Sequence, residues 1–69
     1  MGQQVYLVSA RRPGRWGSLI PRHKRSLDLA VPGAIASLIA ALKSEKRING
    51  EIEVIVQDAK GREKARVRG

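Results

Sequence analysis

The sequence predicts a small α+β domain, an antiparallel sheet in ββαββ order with one helix packed on one face. Three observations lead there. Ile35, Leu38, Ile39 and Leu42 recur at the i, i+3, i+4, i+7 spacing of a single helix face. Runs rich in β-branched residues flank that helix, at residues 5–10 and 51–57. Pro13-Gly14 and Asp58-Ala59-Lys60-Gly61 supply turns that fold the segments before and after the helix into hairpins. A chain of 69 residues has room for one domain, residues 1–69. Apolar types make up 42% of it, enough for an aliphatic core and too much for a disordered polybasic tail.

The first strand is Val5 to Ala10. Arg11-Arg12-Pro13-Gly14 breaks it, because proline presets the first φ of a type II turn and glycine tolerates the positive second one. A second strand is expected from Arg15 to Ile20, ending at Pro21. The run Arg22-His23-Lys24-Arg25 is too charged to bury and reads as a loop. Leu27, Leu29 and Val31 alternate with Asp28 and Ala30, which suggests a short extra extended piece before the helix. Pro32 is acceptable in a first helical turn, where its missing N–H costs nothing. Ala34, Ala36, Ala40 and Ala41 favour helix and permit close packing on a sheet. Lys43, Lys46 and Arg47 suit the negative end of the helix dipole, and Asn49-Gly50 supplies a stop. In the third strand Ile52, Val54 and Val56 share one face, with Glu51, Glu53 and Gln57 on the other. The last strand, Arg62 to Arg68, places Glu63, Ala65 and Val67 on one side and Arg62, Lys64, Arg66 and Arg68 on the other.

Below about 70–80 residues a single core rarely supplies more than about 3–5 kcal/mol. With no cysteine there is no disulfide to add to it. Self-association through a sheet edge or the helix, as a homodimer, is therefore in prospect.

Lys and Arg total 14 against 6 Asp and Glu, a formal net charge of +8. The excess is uneven. Residues 1–27 hold six basic residues and no acid, while residues 28–69 hold eight basic and six acidic ones. Five of the first six are arginine, whose planar fork suits phosphate. Arg11, Arg12 and Arg15 belong to the first hairpin, and Arg22, Lys24 and Arg25 to the segment after it. Such clustering favours a nucleic-acid contact over a merely solubilising surface. Trp16 could stack on a base or wedge into a groove, but as one of only two aromatics it reads more readily as the main core side chain of the sheet. The stripe Arg62, Lys64, Arg66, Arg68 fits a phosphate chain and, equally, protection of an exposed strand edge. Glu51 and Glu53 on the neighbouring strand are placed to pair with some of it.

Catalysis has no support in the sequence. His23, the sole histidine, has no Ser, Cys or carboxylate near it in the sequence and reads as a surface contact. One His without Cys cannot assemble a tetrahedral zinc site here, and Pro13-Gly14 and Trp16-Gly17 lack the context of a phosphate-cradling loop. No cofactor or metal is expected. The longest nearly apolar run, Val31 to Leu42, is shorter than the ~20 residues a membrane helix needs. Met1-Gly2-Gln3-Gln4 has no secretory pattern, and Gly2 lacks the Ser or Thr at position 6 of a myristoylation start. A cytoplasmic protein is expected, with no membrane partner.

Gly14-Arg15-Trp16 after a first strand, and Asp58-Ala59-Lys60-Gly61 before a last one, resemble a family of short bacterial and phage proteins of unknown function. Its order is strand, Gly-x-Trp, strand, helix, strand, Asp…Gly turn, strand, which would cover nearly the whole chain. That family tends to start its helix with a Thr cap and a Glu-Ala pair, where this chain has Val31-Pro32-Gly33-Ala34. The resemblance implies the topology and carries over no functional residue.

The leading expectation is a small non-enzymatic nucleic-acid-binding accessory protein of phage or bacterial type, with DNA and RNA both open. Its contacts would be Arg11, Arg12, Arg15, Trp16, Arg22, His23, Lys24 and Arg25, extended by Arg62, Lys64, Arg66 and Arg68. The alternative is an interaction or inhibitor module that docks on an acidic protein surface, through its basic face or by strand addition. A third is a structural subunit of a ribonucleoprotein or virion, its charge neutralising packaged nucleic acid.

Overall fold

The computed structural model describes residues 3–69. Met1 and Gly2, which the lipidation pattern would require, lie outside the described residues. The elements are β1 (Gln4–Arg11), β2 (Ser18–Leu27), α1 (Ala34–Lys46), β3 (Glu53–Gln57) and β4 (Glu63–Arg68). The strands form one sheet in the order β2-β1-β3-β4, and every neighbouring pair is antiparallel. This is the small ββαββ α+β fold that the sequence predicts. β2 and β3 both run antiparallel to β1 and hence parallel to each other. A helical crossover is what such a pair needs, and α1 supplies it.

Alternation along the central strands turns Val8, Ala10, Val54 and Val56 to the helix side. There they meet Leu38, Ile39 and Leu42 of α1, with Ile20 of β2 and Ile52 just ahead of β3 completing the core. Ile35, Ile48, Tyr6, Leu27, Leu29 and Ala65 pack around its margin. The helix places its leucines and isoleucines as the periodicity demands, although Ile35 in the first turn is only half-buried.

The hairpin between β1 and β2 closes as a type II turn. The Arg15 amide donates to the Arg12 carbonyl at 3.1 Å, and Gly14 takes the positive φ, 76°. β2 departs from expectation. It begins at Ser18 and continues through Pro21 to Leu27, so Arg22-His23-Lys24-Arg25 is strand and not loop. Proline is tolerated because β2 is an edge strand, and because the ladder slips there: Val8 pairs with His23 but Ala10 with Ile20. The slip inserts an extra residue into β2, so Ile20 and His23 both face the helix side.

No further strand precedes the helix. After Leu27 the chain turns, with the Val31 amide on the Asp28 carbonyl and the Ala30 amide on the Asp28 carboxylate. The Asx turn outcompetes the extended reading of Leu27 to Val31. Pro32 lies ahead of the helix, which starts at Ala34 after Gly33 in the left-handed conformation. The helix also stops earlier than Asn49-Gly50. Arg47 adopts the left-handed conformation at φ 53°, its amide donates to Ser44, and the Ile48 amide donates to Lys43. This is a Schellman ending, with Ile48 as the apolar residue that folds back on the core.

The second hairpin holds its turn as expected, with Gly61 donating to the Asp58 carbonyl and Asp58 to the Arg62 carbonyl, each at 2.9 Å. β4 then carries its own irregularity. Gln57 pairs with Glu63 but Val56 with Ala65, leaving Lys64 as the extra residue. Glu63 thereby moves from the predicted face of Ala65 and Val67 to that of Arg66 and Arg68. No helix among the described residues is long and apolar enough to cross a membrane.

Candidate nucleic-acid interface

The ladder between β1 and β2 ends at the pair Arg11 and Ser18, so residues 12–17 project beyond the sheet. Trp16 stands on that projection and is 97% exposed. The expectation that it fills the core fails for a geometric reason. It belongs to no strand, and the wall that a core indole would occupy is already built from Val8, Ala10, Ile20 and the helix. With Arg11, Gly14 and Arg15 it lines a shallow cleft of about 240 Å³.

The three arginines of the hairpin do different things. Arg11 donates from Nε to Glu53 Oε1 at 2.9 Å. Arg12 donates from one guanidinium nitrogen to the carbonyls of Asn49 and Glu51, tying the hairpin to the connection between α1 and β3. Arg15 is exposed and meets no carboxylate among the described residues.

A second concavity, about 430 Å³, opens between β2 and the end of α1. Arg22, His23, Lys24 and Arg25 contribute from the strand, and Glu45 and Lys46 from the helix. Pairing places His23 opposite Val8 and Arg25 opposite Tyr6, on the helix side, while Lys24 lies opposite Leu7 on the open side. Arg25 donates from Nη2 to Glu45 Oε1 at 2.7 Å and from Nε to His23 Nε2 at 3.2 Å. His23 Nδ1 then carries the proton, donating it to the Pro21 carbonyl at 3.0 Å. Arg22 and Lys24 are exposed and, with Lys46, pair with no carboxylate among the described residues.

The four cations predicted for the last strand, of which Arg62 lies in the turn before β4, are all engaged. Arg62 and Lys64 reach Asp58, Arg66 reaches Glu63 and Glu53, and Arg68 reaches Glu53. Hydrogen bonds from the Arg62 and Lys60 amides hold the Asp58 carboxyl below its ordinary range, against a smaller opposing effect of desolvation. Arg66 does the same for Glu63 through its side chain, and Glu63 in turn raises the pKa of Arg66. Glu53, 6% exposed, accepts from Arg11, Arg66 and Arg68, and the Arg11 bond is the main cause of its lowered pKa. Glu51, expected to share in this pairing, makes no ion pair among the described residues.

The structure thus divides the predicted set. Arg15 and Trp16 gather at the hairpin tip, and Arg22, His23, Lys24 and Arg25 on β2, while Arg11, Arg12, Arg62, Lys64, Arg66 and Arg68 hold other parts of the fold. The sequence reading misses Lys46 at this site and one of the partners of Glu53. Lys46 reads as a helix-dipole cation, and only the crossing of α1 over the sheet brings it to β2. Glu53 is expected to pair with cations of the last strand and does so with Arg66 and Arg68, and only the pairing of β3 with β1 reveals Arg11 as a third guanidinium group around it. Compared with protein-family models, curated proteins and solved structures, the chain shows no match.

Proposed function

We propose that this chain is a small non-enzymatic nucleic-acid-binding protein whose contact surface is the β2 edge and the hairpin tip. The observation that carries the reading is Trp16. A large apolar side chain left 97% in water, beside an Arg15 that meets no carboxylate among the described residues, forgoes burial in a domain with little core to spare. Such an indole is suited to stacking on a base, and the cations of Arg15, Arg22, Lys24 and Lys46 to the adjoining phosphates. His23 and Arg25, the latter paired with Glu45, line the same concavity.

The test is fluorescence anisotropy of labelled duplex DNA, single-stranded DNA and RNA, at about 50 and 200 mM salt. Binding that is micromolar or tighter and survives the higher salt is expected. Replacing Arg22, Lys24 and Lys46 together with Ala should weaken it and reduce the log–log salt slope by roughly 0.7–0.9 per lost phosphate contact. Binding that vanishes at the higher salt, or a slope unmoved by the triple variant, would overturn the reading.

A further inference from the structure

We propose that the nucleic acid is single-stranded, its backbone following β2 and one unstacked base lying on Trp16. The proposal rests on the nucleic-acid reading above and adds strandedness to it. Trp16 is poorly braced for any other use. It lies past the last ladder pair, between Gly14 and Gly17, and a Cβ at either glycine would meet nothing within 4 Å beyond its own chain neighbours. A side chain that wedges open a duplex must be backed by packed structure, because it works against base stacking. An unsupported indole can instead receive a base that is already unstacked.

The arrangement of charge agrees. From Ser18 to Lys24 the edge strand runs beside Arg11 to Leu7 of β1, four residue steps or roughly 13 Å at about 3.3 Å per residue. Beside it lie Arg15 at one end and Arg22, Lys24 and Lys46 toward the other, none with a carboxylate partner among the described residues; Lys43, Arg47 and Lys60 lack one too but do not line the β2 concavity. A hairpin lying in a duplex groove faces phosphates on both flanks, across a major groove about 12 Å wide. The opposite edge of this sheet is β4, where Arg62, Lys64, Arg66 and Arg68 are engaged by Asp58, Glu63 and Glu53. One such line of cations matches one backbone.

The discriminating measurement compares a labelled oligothymidylate and an oligouridylate with a duplex of equal length, at about 200 mM salt, using the whole chain. Charge density alone favours the duplex, which carries one charge per about 1.7 Å against 3.4 Å for one strand. The expected result is the reverse, at least one single strand bound roughly 10-fold tighter than the duplex. Trp16→Ala should erase most of that preference and Trp16→Phe should keep part of it, with an unchanged far-ultraviolet spectrum as the check on folding. A duplex bound as tightly as the better of the two single strands, or a preference that survives Trp16→Ala, overturns strandedness alone. No binding to any of the three overturns the nucleic-acid reading along with it.

Discussion

Glu53 lies on the side of the sheet that α1 does not cover, yet it is among the most buried residues of the chain. What covers it is arginine. Arg11, Arg66 and Arg68 converge on its two oxygens at 2.9, 3.4 and 3.4 Å. Removing the carboxylate charge would leave three guanidinium groups crowded without a counter-ion. Glu53→Gln, nearly the same size, should therefore melt at a lower temperature than the parent at pH 7. The pKa values of Glu53, Asp58 and Glu63 are all lowered on folding. Their contribution is complete above the unfolded carboxylate range near ~4 and is lost as pH falls through the still lower folded values. The difference between Glu53→Gln and the parent should accordingly shrink on acidification, as thermal melts by circular dichroism at pH 7 and at about pH 3 would reveal. A gap that persists in acid would assign the effect to packing and not to charge.

At the level of the elements, regular periodicity was legible and irregular pairing was not. Leu38, Ile39 and Leu42 are buried as their spacing requires, and Ile52, Val54 and Val56 as their alternation requires. Pro21 misled because proline ends a central strand but not an edge strand, and edge position depends on partners that local sequence does not name. The extra residue at Lys64 likewise moves Glu63 to the other face, an effect that strict alternation cannot anticipate. Asn49-Gly50 drew the helix end too far, since the left-handed position falls on Arg47 instead. That conformation is costly for a residue with a side chain, and Arg47 forms no ion pair among the described residues to offset it. Arg47→Gly should stabilise the domain by about 1 kcal/mol, read from the urea midpoint at unchanged slope. A lower midpoint would mean that the arginine side chain supports the helix end in another way.

For the molecule as a whole, the concentration of positive charge in the first 27 residues was legible, but its use was not. Acidic residues distant in sequence decide which cations remain available. Glu53 removes Arg11, and Glu45 claims Arg25 from the strand run. The helix returns Lys46 to the same neighbourhood. Strand order makes sense of the division. The two central strands carry Val8, Ala10, Val54 and Val56, while both edges carry charge and an irregular ladder, features that discourage edge-to-edge pairing.

The position of Trp16 also determines how this protein can be observed. It is the only tryptophan, and it is in water before unfolding as well as after. Its emission should stay nearly constant through a urea titration in which the helical dichroism of α1 collapses. A red shift coinciding with loss of the helix would show an indole sheltered in the native state. Unfolding followed by emission alone would make a cooperative domain look featureless. The same silence makes the indole a local reporter, because a change in its emission on adding an oligonucleotide would arise at the hairpin tip and not from the core.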